Sequence, residues 1–92
     1  MKTIAVNIYK EKFDVYCGRP GRGQDGYFGN PYKNGSREDN ITNFKAYFHH
    51  RLKSDPEFKH RVQSLKGKRL GCFCKPLPCH VDIIVNYLNK LK

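Results

Sequence analysis

The run Gly71-Cys72-Phe73-Cys74-Lys75-Pro76-Leu77-Pro78-Cys79-His80 gathers three sulfurs and an imidazole into one short stretch. Side chains two apart on a strand point the same way, so Cys72 and Cys74 should project from one face. Cys79 and His80 then stand where the last helix begins, beside a strand end, which is where α/β folds usually place ligands. Three kinds of chemistry suit this set. Thiolates and imidazole are zinc donors, which makes Cys72, Cys74, Cys79 and His80 candidate Zn2+ ligands, with Cys17 able to replace one of them. The spacing is unorthodox, because C-x-C is tighter than the usual C-x2-C and adjacent residues reach one ion only under strain. Alternatively, a helix N-terminus lowers the pKa of a thiol, so Cys79 is a candidate nucleophile with His80 as general base and Asp82 orienting it. In the third reading the cysteines are small buried hydrophobes and His80 caps the helix. The residues themselves leave all three open.

A second segment carries charge rather than sulfur. Cys17-Gly18-Arg19-Pro20-Gly21-Arg22-Gly23 leaves a strand with glycines that permit close backbone approach. Arg19 and Arg22 supply guanidinium groups that can grip phosphate in a bidentate manner. No Gly-Lys-Ser/Thr follows, so this is not a Walker loop, and the dinucleotide fingerprint G-x-G-x-x-G is absent from the required strand–turn–helix context. Gly29-Asn30-Pro31-Tyr32 reads as a turn. Asn30 and Tyr32 are candidates for contact with a base or sugar, and Arg37 for a further phosphate. The competing reading is that Tyr27, Phe28 and Tyr32 close the loop over the core. His49, His50 and His60 read as surface residues. The lysines along 45–75 read as a solvated face that could also hold a nucleic-acid backbone.

These groups need elements to position them. Residues 3–9 alternate, with Ile4, Val6 and Ile8 on one face, and residues 13–17 alternate again through Phe13, Val15 and Cys17. Lys10-Glu11-Lys12 between them is short and polar, so the pair is expected to form a β-hairpin. From Gly18 to Gly35 the pattern gives way to a long loop holding most of the chain's eight glycines. Ser36 is a candidate N-cap, with Glu38 and Asp39 in the first turn, where the helix dipole favours negative charge. Ile41, Phe44, Phe48 and Leu52 follow at helical spacing. Asp55-Pro56 opens a second helix by cap and N1 proline, Phe58, Val62 and Leu65 form its stripe, and Gly67 ends it. Residues 70–73 form a short strand, and a last helix from about Val81 carries Ile84, Val85, Leu88 and Leu91. The order is β-β-α-α-β-α. The expected fold is a small α/β domain with a sheet of three or so strands and helices packed on it.

Ninety-two residues allow one domain, spanning 1–92, with a thin core. The hydrophobic content of 38% and aromatic content of 13% exclude a disordered chain. No apolar run approaches the roughly 18 residues that span a bilayer, and the N-terminus is too short and too alternating for a signal peptide. A soluble, cytoplasmic protein is expected, with reduced thiols rather than a disulfide framework. Eighteen Lys and Arg against eight Asp and Glu give a formal charge of +10. That excess attracts anions, so the natural partners are a phosphate-bearing ligand (a nucleotide or nucleic acid) or an acidic protein.

The chain resembles an uncharacterised family of small phage and bacterial domains known only as a domain of unknown function. The resemblance rests on Gly18-Arg19, on Gly29-Asn30-Pro31-Tyr32, on Ser36-Arg37-Glu38, and on Leu65 to Pro76 running on to Cys79-His80. It implies that Arg19, Asn30, Arg37, Cys72, Cys74, Cys79, His80 and Asp82 form one site. The family typically continues Cys-His-Gly-Asp, whereas here Val81 stands in the glycine's place and Asp82 is retained. A valine would narrow any close approach of a ligand to that backbone. The resemblance also points to a phage-encoded accessory protein acting in the host cytoplasm. Its expected role is to bind a nucleotide or nucleic acid through the arginine loop and the Cys/His cluster. The alternatives are a small enzyme acting on a nucleotide or nucleobase through Cys79 and His80, and a zinc-stapled module that inhibits a host protein.

Overall fold

The computed structural model describes residues 2–18, 26–32, 34–72 and 77–91. Strands β1 (Ile4–Asn7), β2 (Val15–Tyr16) and β3 (Arg69–Cys72) and helices α1 (Arg37–Ser54), α2 (Pro56–Gln63) and α3 (Val81–Lys90) follow in the order β-β-α-α-β-α. The fold is therefore the mixed α/β domain expected from the sequence. The sheet order is β1-β3-β2, and both outer strands run parallel to β3.

This topology overturns the expected hairpin. Period-two alternation identifies a strand and its two faces, but it carries no information about the strand's partner. Two local features turn the chain away. Asn7 forms a tight turn: its side-chain oxygen accepts from the Tyr9 N–H at 2.8 Å, and its carbonyl accepts from Lys10 and Glu11 at 3.1 and 3.0 Å. The chain then crosses over β3 instead of doubling back beside β1. Gly71 makes room for the crossing, since a Cβ there would lie 2.7 Å from Ile8 Cγ2 and 2.8 Å from Phe13 Cγ. Asp14 ends the crossing by exchanging bonds with Arg69, its N–H donating to the Arg69 carbonyl and its Oδ2 accepting from the Arg69 N–H, both at 2.8 Å.

The two faces of the sheet are covered differently. Gly71 shares a row with Val6 and Tyr16 under the crossing segment. Leu70 shares the next row with Ala5 and Val15, on the face that meets the helices. There Leu70 and Cys72 join Phe44, Phe48 and Leu52 of α1, Phe58 and Val62 of α2, and Val81, Ile84 and Leu88 of α3 in one buried core. The helical stripes are largely those expected, and so are the caps. Ser36 Oγ accepts from the Asp39 N–H at 3.1 Å, and Asp55 Oδ1 accepts from the Phe58 N–H at 3.1 Å. Gly67 adopts a φ of 81°, a left-handed value that glycine reaches without strain, and there the chain turns from α2 towards β3.

A pair of polar residues, buried Thr3 and exposed Asn89, ties the chain's two ends together. Thr3 N–H donates to Asn89 Oδ1 at 2.9 Å, Asn89 Nδ2 donates to the Thr3 carbonyl at 3.0 Å, and the Gly67 N–H donates to Thr3 Oγ1 at 2.7 Å. Thr3 is fully buried, and these bonds satisfy it. Among the described residues no helix is long and apolar enough to cross a membrane.

Candidate functional site

Because all three strands are parallel, their carboxyl ends share one edge of the sheet. Cys17 lies just past the end of β2, Cys72 ends β3, and Cys79 and His80 return to the same edge at the start of α3. Cys72 Sγ and Cys79 Sγ are 3.1 Å apart, and both residues are buried. His80 Nε2 lies 2.6 Å from the Cys17 carbonyl oxygen. A carbonyl only accepts, so Nε2 carries the proton of this bond. The His80 ring also meets Phe44 edge to face at 5.0 Å. The imidazole thus joins β2, α1 and α3.

The N-cap position of α3 is held by His80, whose side chain makes no capping bond, and Cys79 just before it supports the helix start instead. Its sulfur accepts from the Val81 N–H at 3.4 Å, and its own N–H donates to Asp82 Oδ2 at 3.1 Å. The two bonds are reciprocal, but they start one residue before the N-cap, so they brace the turn into α3 rather than form a capping box. Sequence reading assigned Asp82 to orienting His80; the carboxylate oxygen placed here serves the Cys79 backbone. Val81 is fully buried in the core, so its side chain fills the protein interior rather than the approach to the edge.

Cys17 is also fully buried. Burial, helped by the neighbouring Cys72, pushes its thiol up to about 12. It stays protonated at neutral pH and is poorly suited to metal or nucleophilic chemistry. Two thiolates on one tetrahedral zinc, with Zn–S bonds of roughly 2.3 Å, sit roughly 3.8 Å apart. Cys72 and Cys79 are closer than that, and with Nε2 donating to a carbonyl His80 could reach a metal only through Nδ1. Among the described residues no group of three or more His, Cys, Asp or Glu is assembled to hold a metal. Cys74, the fourth zinc candidate, lies outside the described residues, as do Arg19 and Arg22.

The remaining expected site residues fall on two levels. Arg37, exposed at the start of α1, donates from Nη1 to the Pro78 carbonyl at 3.1 Å, which draws the N-terminus of α1 towards that of α3. Asn30 is buried: its Nδ2 donates to the Asn40 carbonyl at 3.0 Å, and its Oδ1 accepts from the Tyr32 N–H at 2.9 Å. It therefore pins the Gly29–Tyr32 turn to α1. Tyr32 is 39% exposed and meets Tyr47 edge to face at 6.1 Å. Tyr27 and Phe28 pack against the core, with the Arg61 guanidinium 4.5 Å above the Tyr27 ring. For those two rings, closing the loop over the core is the better description.

Other structural roles carried no clear sequence signal. The Cys17 carbonyl as the partner of His80 and the Thr3–Asn89 pair depend on contacts between residues far apart in the chain. A face of α1 bearing Lys45, His49 and Lys53 at four-residue steps was legible in principle, and it borders two hollows between the helices.

Comparison with known proteins agrees with the resemblance. The chain is 46% identical over 86 residues to an uncharacterized 12.4 kDa protein of the nrdA-td intergenic region of Enterobacteria phage T4, covering 94% of this chain and 77% of the phage protein. No solved structure matches the chain. A family model described as a domain of unknown function (DUF4326) matches residues 4–90, nearly the whole length, and the chain belongs to that family.

Proposed function

We propose that this protein binds a phosphate-bearing ligand, a nucleotide or a nucleic acid, at the carboxyl edge of its sheet. As an accessory protein of phage type, it would act in the host cytoplasm. The observation that carries the reading is the bond from Arg37 to the Pro78 carbonyl. It ties the start of α1 to Pro78, just before the Cys79-His80 turn at the carboxyl edge, the edge at which β2 ends and beyond which Arg19 and Arg22 follow in the sequence. Arg37 remains exposed, so its other guanidinium nitrogens can meet a phosphate. Within this reading Arg19, Arg22 and Arg37 take phosphates and Tyr32 supplies a ring for a base. His80 and Asn30 hold the edge in shape from beneath.

The test is calorimetric titration of the whole protein with nucleoside mono- and triphosphates at two salt concentrations. Binding should weaken with salt, and Arg37→Ala should reduce it by about ten- to a hundredfold, as expected for one charge-assisted phosphate contact of roughly 1.5–3 kcal/mol. Salt-independent binding, or none by any nucleotide, would remove the proposal.

A second reading, a zinc staple in a protein-interaction module, would require the buried Cys72 and Cys79 sulfurs to move apart from 3.1 Å to roughly 3.8 Å around the ion. Stoichiometric zinc in protein purified without added metal, and a melting temperature lowered by chelator, would establish it. The enzyme reading has less support, since the Cys79 sulfur is buried against Cys72 and accepts the Val81 N–H.

A further inference from the structure

Away from the sheet edge, two hollows of about 220 and 530 Å3 lie on either side of the His49 and Tyr87 rings, which border both. The rings meet edge to face at 6.4 Å. Lys45 and Lys90 line the first hollow, Lys53 and Lys59 the second, and no aspartate or glutamate lines either. The nearby acids of α1 and α2 face arginines instead: Asp55 pairs with Arg51 at 3.3 Å and Glu57 with Arg61 at 3.5 Å. All four lysines are exposed. The result is a concave basic surface crossing three helices, with an aromatic pair at its middle.

We propose that this groove is a second binding site, for the phosphodiester backbone of a polynucleotide. The spacing of the charges selects the ligand. Lys45 and Lys53 are eight residues apart on α1, about 12 Å along its axis, and Lys59 and Lys90 extend the array onto α2 and α3. One phosphate group cannot meet cations so far apart. A polynucleotide backbone, which carries a phosphate at every nucleotide, can place one near each of them. The His49–Tyr87 rings offer a face on which an unpaired base can stack, which favours a single strand over a duplex. The inference does not depend on the sheet-edge reading, because it uses none of the same residues.

The test is fluorescence anisotropy on the full chain with labelled single-stranded and duplex oligonucleotides of about 20 nucleotides. The proteins compared are the wild type, the quadruple variant K45A/K53A/K59A/K90A, the matching quadruple Lys→Arg variant and Arg37→Ala. The alanine variant should lose at least about 100-fold in affinity near 0.1 M salt. Its log–log salt slope should become shallower by roughly 3, about 0.7 for each lost contact on a single strand. The arginine variant should keep both, and circular dichroism should show all variants folded, since every changed residue is exposed. Arg37→Ala should leave the groove's salt slope in place while it weakens nucleotide binding. An alanine variant that binds like the wild type overturns the groove whatever Arg37→Ala does. So does a wild type that binds neither oligonucleotide, or one that binds anionic lipid vesicles and not oligonucleotides. Stronger binding of duplex than of single strand keeps the backbone site and removes the stacking role of the rings.

Discussion

The sheet edge and the helical groove both gather polar side chains, but they use them in opposite ways. At the edge, His80, Cys79, Asp82 and Asn30 are each engaged with backbone groups of the same chain: Cys17, Val81, Cys79, and Asn40 with Tyr32. No buried side-chain nitrogen or oxygen among the described residues lacks a partner. In the groove the charged groups stand in solvent around a concavity. A buried polar group left unmet costs roughly 1–3 kcal/mol, so interior histidine and asparagine tend to be tied into the fold. Exposed lysines carry no such cost and stay available. Residue types that look chemical in a sequence can therefore be structural, and a plain run of lysines can be the surface that meets a ligand.

The most severe way to break this contrast is to find a reactive thiol at the edge. With its thiol pushed up to about 12, Cys17 holds about one part in 10⁴ of thiolate at pH 8. It should react with iodoacetamide about three orders of magnitude more slowly than an ordinary thiol, before any steric shielding is counted. Peptide mapping after timed alkylation measures this. Rapid native labelling of Cys17 would show that the edge opens, and the claim that its sulfurs belong to the interior would fail. Labelling that appears only with denaturant would support it.

The uneven legibility of the sequence has the same origin. Caps and stripes are local, so Ser36, Asp55, Phe44, Phe48, Phe58 and Val62 take the places their spacing assigns. The strands were legible as strands because alternation is also local. Their order was not, because it depends on Asn7 turning the chain and on Gly71 leaving space for Ile8 and Phe13. At the candidate site, convergence of Cys72, Cys79 and His80 on one strand end followed from strand–loop–helix order. What each atom does there did not follow. The bond from His80 to the Cys17 carbonyl links residues 63 apart, and nothing in the spacing of Cys79-His80 encodes it.

A smaller effect sharpens the comparison through stability. His80→Ala removes the donor to the Cys17 carbonyl and leaves a cavity beside Phe44. A lost buried hydrogen bond and an incompletely filled cavity together should cost about 3 kcal/mol in chemical denaturation. His80→Gln, which keeps an amide donor, should recover part of that. Each single groove substitution, such as Lys53→Ala, should stay within about 0.5 kcal/mol. If His80→Ala were as mild as the groove variants, His80 would not be a structural tie, and its imidazole would return as a functional group.

The smallest effect concerns the joint between α1 and α2, beside the groove wall at Pro56. The Asp55 carboxyl accepts the Phe58 N–H, which is the largest influence holding it below its ordinary value of 3.8. Partial desolvation opposes this, and the hydrogen bond and charge of Arg51 reinforce it. The folded-state value thus lies below the unfolded one, so the unfolded chain takes up the proton first as acid is added. The contribution of Asp55 to stability is complete above its ordinary value and drains away as pH falls through the lower folded value. Asp55→Asn keeps a capping oxygen but removes the charge, so thermal melts between pH 6 and pH 2 should fall less steeply for this variant than for the wild type. Lysines 53 and 59 flank the same joint, and ionised Asp55 is held by Arg51 rather than by them. The variant should therefore leave oligonucleotide affinity at neutral pH unchanged to within about twofold, a difference of about 0.4 kcal/mol. A large gain in affinity on removing this carboxylate would mean that it already shields the groove, and the separation drawn here between paired acids and uncommitted lysines would have to be given up.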